Sequence, residues 1–459
     1  MITDPTTGGS PVSDPALVQP DPTLNDVPNE LSEGAITPGV TPVLIPTYRY
    51  TSEEFAAREN ERLWPRVWQL ACSVDHVGAP GDWYEYRAGW LSALIVRGDD
   101  GELRAFQNAC RHRGNTICQG SGQGLSVLRC PFHRWTWDLA GRLREVPDRR
   151  GFGPGLTNDS FGLLPVRVDT WGPMVFVSFE PEGPPLAEFL EGIPEDAGWA
   201  RLEDFHCVAM THTPVDSNWK VVTEGFSETY HVQGIHPEML ASIDDVHAPQ
   251  RLWGLHGASY QRYGVASPRV RDATDQSVWD SFLVTQGNRL GVEMVPGPAP
   301  EVPPGQTMAD VIAERIRRYQ AGIGVDISDF GTDQILRLSQ YNLFPNTTVL
   351  VWGGDMLNVL QARPGPDPDR AELVMFLFYR RPPGAGPARP VELEVGDDAN
   401  LGLVIGQDVG ILRTAQRGLH QPGLTHLAVG AEECRIINAH RALERYLGIE
   451  PTELVPIGS

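Results

Sequence analysis

The sequence is sparse in cysteine, has no excess of positive charge and contains no long apolar run, and each absence narrows what the protein can be. Six cysteines, Cys72, Cys110, Cys118, Cys130, Cys207 and Cys434, are too few across 459 residues for a disulfide scaffold. The informative ones are those spaced as metal ligands. A net charge of −22 argues against a nucleic-acid partner, because phosphate binding needs a positive surface. No basic block or basic amphipathic helix is evident that would reverse this locally. No stretch approaches the ~20 apolar residues that cross a bilayer, so no membrane partner is expected. Met1–Ser10 is polar, with neither a basic region nor an apolar core, and the expected location is cytoplasmic. There is no internal repeat.

What is present suits two domains in one chain. Residues 1–45 are rich in proline among small polar residues and read as an extended or disordered arm. A first helix is expected over Thr51–Leu63, with Thr51 and Glu54 as a capping box. From Trp68 to Phe179, short apolar runs broken by Gly, Asp and Pro predict a small antiparallel β domain. After a link over 180–195, helices are expected at Asn218–Val232, Thr307–Gln320, Asp408–Leu419 and Glu432–Leu447. The apolar runs Thr347–Ala362 and Ala371–Arg380 read as a hairpin. The fold class is α+β.

Two constellations carry chemistry. Cys110-Arg111-His112 and Cys130-Pro131-Phe132-His133 are separated by a loop of 17 residues. Two Cys and two His in this order suit a [2Fe–2S] cluster, with one iron on thiolates and the other on imidazoles. Zinc is the rival, although zinc fingers pair Cys with Cys and His with His. In the second constellation, Asn218 to His231 reads as one helix that places Glu228 and His231 on one face, three residues apart. His236 follows, and Gly234 lets the chain bend so that both imidazoles reach one metal. With a carboxylate from elsewhere they would form the facial triad of a mononuclear Fe(II) site. The remaining histidines (His76, His206, His212, His247, His256, His420, His426 and His440) read as surface or hydrogen-bonded side chains.

Cys110-Arg111-His112-Arg113-Gly114 and Cys130-Pro131-Phe132-His133-Arg134-Trp135-Thr136-Trp137-Asp138 resemble the Rieske non-haem iron oxygenases, especially the catalytic subunits of aromatic-ring-hydroxylating dioxygenases. So does Asn218-Trp219-Lys220 through Glu228-Thr229-Tyr230-His231 to His236. Departures are Phe132 where Tyr is common, Arg134 where Gly is common, Glu228 where many relatives have Asp, and Gly225 where many have Asn. The second loop offers no partner for Cys118, which reads as a buried thiol.

The resemblance implies a Rieske [2Fe–2S] domain over 46–180, whose first helix belongs with the catalytic domain, and a helix-grip catalytic domain with a large antiparallel sheet over 181–459. It implies Asp408 as the iron carboxylate, with Asp397 and Asp398 as rivals, and Glu228 as a bridge from His231 to His133 of a neighbouring subunit. It also implies O2 as co-substrate, NAD(P)H electrons relayed by a ferredoxin or flavin reductase, and a homotrimer with or without a small beta subunit. The reaction expected is hydroxylation of an organic, aromatic substrate, with monooxygenation or O- or N-demethylation as the alternative. An electron-transfer Rieske protein would have no use for the Glu228, His231 and His236 set. Phe226, Ile235, Trp253, Trp279 and Phe282 are candidate pocket walls.

Overall fold

The computed structural model describes residues 39–382, 384, 388–396 and 401–458. Residues 1–38 of the expected arm lie outside the described residues. Its last part is ordered: Val43–Pro46 is a strand paired with His426–Val429 and Val455–Pro456, and Val43 and Ile45 are buried. A one-turn helix, Tyr48–Thr51, comes first; the expected helix spans Glu53–Arg62, and Ser52, not Thr51, caps it by accepting the Phe55 N–H.

The first β unit is a seven-stranded antiparallel sheet in the order Gln69–Ser73, Met174–Ser178, Pro165–Trp171, Leu103–Gln107, Leu91–Arg97, Trp83–Ala88 and Ser121–Gly122. A small three-stranded sheet, Leu128–Arg129, Thr136–Trp137 and Leu143–Glu145, lies beyond it. The second unit is a nine-stranded sheet whose centre is Gly257–Tyr263, Arg337–Leu343, Thr347–Trp352, Met356–Pro364, Ala371–Arg380 and Phe205–Val215. The sheet is antiparallel except at its edge, where Val391–Glu394 pairs parallel with Ala209–His212. The run expected as one strand over 347–362 is itself a hairpin. Gly353 and Gly354 turn it at φ +51° and +78°, a backbone that side chains other than glycine rarely adopt. The helix expected over Thr307–Gln320 spans Met308–Gly322, capped by Thr307, whose side chain accepts the Asp310 N–H.

The two sheets share one core. Leu70, Tyr86, Val175 and Val177 of the first pack with Val349, Val359, Val374 and Phe376 of the second. Polar groups stitch the same seam. Asp75 takes His206 Nδ1 at 3.0 Å and the Cys207 N–H at 2.8 Å, and Gln361 and Arg363 donate to the carbonyls of Leu70 and Ala71. On the other side of the large sheet, helix Trp219–Gly225 packs against the long helix Leu403–Leu419 and the C-terminal helix Cys434–Leu447. Lys220, the only lysine in the chain, is buried there with Nζ 2.6 Å from Glu59, which ties the first helix to this one.

Among the described residues, no helix is long and apolar enough to cross a membrane.

Candidate metal centres

The two Cys–His loops are built alike. The Cys110 N–H donates to Asn115 O and the Gly114 N–H to Cys110 O. The Cys130 N–H likewise donates to Trp135 O, and the Arg134 N–H to Cys130 O. Each turn therefore needs a left-handed residue four positions after its cysteine, and these are Gly114 at φ +74° and Arg134 at φ +63°. That explains why glycine would be at ease at position 134, where this chain carries arginine.

The loops bring the cysteines face to face and set the His112 and His133 rings 4.6 Å apart. Trp135 stacks on His112 at 5.2 Å. Burial pushes the Cys110 thiol up, while backbone N–H groups of His112 and Arg113 directed at its sulfur pull the other way, as a thiolate ligand requires. His112 Nδ1 is buried without a hydrogen-bond partner, which is the state of a ligand nitrogen facing its metal. Among the described residues, no three of the four side chains put ligand atoms within 4.8 Å of one another, as a single tetrahedral zinc demands. The set fits a two-iron cluster. Cys118 is a free thiol, half-buried where a buried one was expected.

Arg113, Arg129 and Arg134 are exposed around these loops without an ion pair among the described residues, and Phe132 beside them is 54% exposed. The chain therefore does carry a local basic rim, contrary to the expectation from its net charge.

The second centre differs from the expected single helix. Helix Trp219–Gly225 stops, residues 226–231 turn, and a short helix Val232–Ile235 precedes His236. The stop is pinned from the sheet, because Gln340 and Asn342 donate side-chain N–H groups to Phe226 O. A β-carbon on Gly225 would meet Leu412 at 2.8 Å, so the long helix packs where an Asn side chain would stand. Glu228 accordingly acts on the turn: one oxygen accepts the His231 N–H at 2.9 Å and the other lies 2.6 Å from His231 Nδ1.

His231, His236 and Asp408 converge, with their ligand atoms within 4.8 Å. Asp408 Oδ1 is 3.0 Å from His236 Nε2 and 3.8 Å from His231 Nε2. His236 Nδ1 faces Gln407 Oε1 at 2.8 Å. Both imidazoles thus have Nδ1 occupied by an outer acceptor and Nε2 directed inward, the arrangement that fixes a metal-ligating tautomer. Burial disfavours a charged His231, but Glu228 and then Asp408 outweigh it and raise its pKa. Glu432 and Glu433 are pushed up to about 7 by burial, and the charge of Glu228 adds to both shifts. Three carboxyl side chains, Glu228, Glu432 and Glu433, therefore gather beside this centre.

Gln407 was not singled out from sequence; its only signal was adjacency to Asp408. Asp397 and Asp398 lie outside the described residues. The five candidate wall residues do not gather: Phe226 belongs to the core under the long helix, Trp279 and Phe282 to that of the 275–338 region, and Trp253 to the seam between the sheets. Ile235 is half-buried on the short helix. The other eight histidines are all hydrogen-bonded, including His440 to Glu224 at 2.8 Å and His212 to Glu372 at 3.1 Å.

Residues 198–449 match the ring hydroxylating alpha subunit (catalytic domain) family, and residues 67–162 match the Rieske [2Fe-2S] domain. The chain belongs to the ring-hydroxylating alpha-subunit family. Relatives similar to it are named for different substrates. The glycine betaine monooxygenase oxygenase subunit of Pseudomonas aeruginosa is 29% identical over 209 residues, covering 45% of this chain and 48% of that protein. The biphenyl 2,3-dioxygenase alpha subunit of Rhodococcus jostii is 28% identical over 237 residues, 46% and 50%. The chain thus spans about half the length of these curated relatives. The solved structure of a quaternary ammonium Rieske monooxygenase, described for carnitine oxidation and inter-subunit electron transfer, covers 91% of this chain and 97% of its own at TM-score 0.64 and 18% identity. At that identity the likeness is one of fold.

Proposed function

We propose that this chain is the terminal oxygenase component of a Rieske system, using O2 and electrons relayed from NAD(P)H to hydroxylate an organic substrate. One observation carries the reading: a single chain holds both a two-Cys, two-His set built for two irons and a separate His231–His236–Asp408 set with inward Nε2 atoms. Cys110, His112, Cys130 and His133 would hold the cluster, and His231, His236 and Asp408 a mononuclear Fe(II). When bound, the cluster would pass single electrons and the iron would supply the centre where O2 is reduced and substrate oxidised.

The protein's own groups do the positioning. Glu228 holds His231 and Gln407 holds His236, each by Nδ1, while Gln340 and Asn342 fix the start of the turn that leads to His231. The proposed division is an arm over 1–45, a cluster unit over 46–180 whose first helix joins the iron unit, and an iron unit over 181–459. The basic rim around His112 and His133 suits the carboxyl side chains gathered at Glu228, Glu432 and Glu433. A head-to-tail ring would bring the two together, which supports a homotrimer with Glu228 bridging His231 to the next cluster. The electron donor is a ferredoxin or flavin reductase, since the chain has no dinucleotide or flavin motif of its own. The relatives' names leave ring hydroxylation and monooxygenation of a methylated amine as the two reactions to separate.

The test is purified protein, its visible spectrum and its metal content. Red-brown absorption with one further iron per chain is expected. Cys110→Ser or Cys130→Ser should abolish the absorption, and His231→Ala should lose the further iron alone. A colourless zinc protein, or an unchanged spectrum in either serine variant, would refute the assignment.

A further inference from the structure

A buried guanidinium, that of Arg435, stands behind the turn that leads to His231. Arg435 lies in the first turn of the C-terminal helix Cys434–Leu447 and is only 3% exposed. Its stem runs past Gly257, where a β-carbon would meet Arg435 Cγ at 2.8 Å, so the strand leaves room for it. Two of its nitrogens are committed: Nε donates to Gln250 Oε1 at 3.0 Å and Nη1 to Asn342 Oδ1 at 2.6 Å.

The second contact decides which way the Asn342 amide faces. With Oδ1 taken by Arg435, Nδ2 is left to donate to Phe226 O at 3.0 Å and to Ser227 Oγ at 3.2 Å. These bonds pin the start of the turn. Two hydrogen bonds in series therefore link the guanidinium to the backbone that carries Glu228 and His231.

That hold does not need a charge. A neutral donor could supply the same bonds, and burying a cation is costly unless it is paired. Arg435 has no ion pair among the described residues, and its Nη2 is buried without a hydrogen-bond partner. Burial lowers its pKa to about 10, while Cys434, Glu228 and Glu432 act the other way, so the group is cationic at neutral pH. Its charge also adds to the burial that disfavours a protonated His231, which puts the cation within electrostatic reach of an iron ligand. Arg269, the other cation near Glu432, is committed to Asp245 at 2.9 Å. Of the two, Arg435 is the uncompensated one.

We propose that Arg435 is a positioning residue of the iron centre, fixing the Asn342 amide behind the His231 turn and biasing a bound iron toward the ferrous state. A fixed positive charge opposes a further positive charge on the metal, so ferrous iron gains over ferric. The bias favours the transfer in which the reduced cluster gives up one electron and ferric iron takes it. This inference rests on the oxygenase reading above.

The experiment is a redox titration of the cluster- and iron-loaded protein, followed by electron paramagnetic resonance, in which ferric iron and reduced cluster give separate signals. Arg435→Met keeps the length and removes the charge. It should shift the ferrous–ferric balance about 5- to 10-fold toward ferric, which is about 40 to 60 mV for one electron. Arg435→Lys keeps the charge and should stay within about 2-fold of wild type. Asn342→Leu keeps the charge but releases Phe226 O. It should weaken Fe(II) binding about 10-fold against a chelator and leave the potential within about 2-fold. Gln250→Glu sets a carboxylate on Arg435 Nε and should lower the potential as Arg435→Met does, so the charge is tested even where Arg435→Met fails to fold. Retained cluster absorption reports folding in each variant. An unmoved potential in Arg435→Met or Gln250→Glu, or equal shifts in Arg435→Lys and Arg435→Met, would overturn the electrostatic role. Wild-type Fe(II) affinity in Asn342→Leu would overturn the positioning. A chain that binds no iron beyond its cluster defeats the oxygenase reading itself, whereas a loaded chain whose potential ignores Arg435 defeats only this inference.

Discussion

Glu228 holds His231 at two points, with one carboxylate oxygen on the ring Nδ1 at 2.6 Å and the other on the backbone N–H at 2.9 Å. The first contact orients the ring and the second shapes the turn that follows the helix. Glu228→Gln keeps the size and removes the charge. It should leave cluster and iron in place while oxidation of the pre-reduced cluster, followed by rapid mixing with substrate and O2, slows by about 10-fold or more. A fully loaded variant that transfers at the wild-type rate would remove Glu228 from the electron path.

Gln407 does for His236 what Glu228 does for His231, without charge. Its carbonyl oxygen holds the proton on Nδ1 and so leaves Nε2 free. Gln407→Leu should weaken Fe(II) binding by about 10- to 100-fold, measured by titration against a chelator, with the cluster absorption untouched. Gln407→Glu keeps an acceptor at the same place and should restore most of the affinity. Equal losses in both variants would mean that packing, and not the hydrogen bond, is responsible.

Lys220 and Glu59 are both almost fully buried. Lys220 also lies over the rings of Trp219 and Phe55, at 4.7 and 5.2 Å. Removing one partner strands the other charge, so Lys220→Met should cost about 3–5 kcal/mol of stability. Adding Glu59→Leu should recover most of it. Thermal unfolding of the two variants gives the comparison, and a double variant no better than the single would refute the coupling.

His256 is buried with both ring nitrogens committed: Nδ1 accepts the Phe344 N–H at 2.9 Å, and Nε2 donates to Phe189 O at 2.6 Å. Burial pushes its pKa down to about 4, and His76 is likewise pushed down, to about 3. Between pH 4 and 6.5 the unfolded chain binds a proton at each that the folded chain refuses. Stability from these groups is full above 6.5 and declines as pH falls toward 4. For His256 the loss is about 3 kcal/mol. His256→Gln, which supplies an acceptor and a donor, should flatten the fall in melting temperature between pH 7 and 5. A slope identical to wild type would show that His256 is already charged in the folded state.

Ligand types and their spacing were legible in the sequence because short-range chemistry sets them: Cys110 to His112, Cys130 to His133, and His231 to His236. The helix break at Gly225 was not, because its cause is distant. Leu412 fills the space beside Gly225, and two amides from the sheet hold Phe226 O. Gln407 was hidden for the same reason, since its partner lies 171 residues away. The split of 347–362 into two strands was written in Gly353-Gly354, yet an apolar run on both sides masked it.

The seam between the two sheets has a practical consequence for fragments. Leu70, Tyr86, Val175 and Val177 are buried in a core that they share with the larger sheet. Cut near residue 180, the cluster-bearing piece would present that face bare, and its Asp75 would lose both His206 and the Cys207 N–H. Such a piece should precipitate or pair with itself when expressed alone, even with its iron–sulfur loops intact.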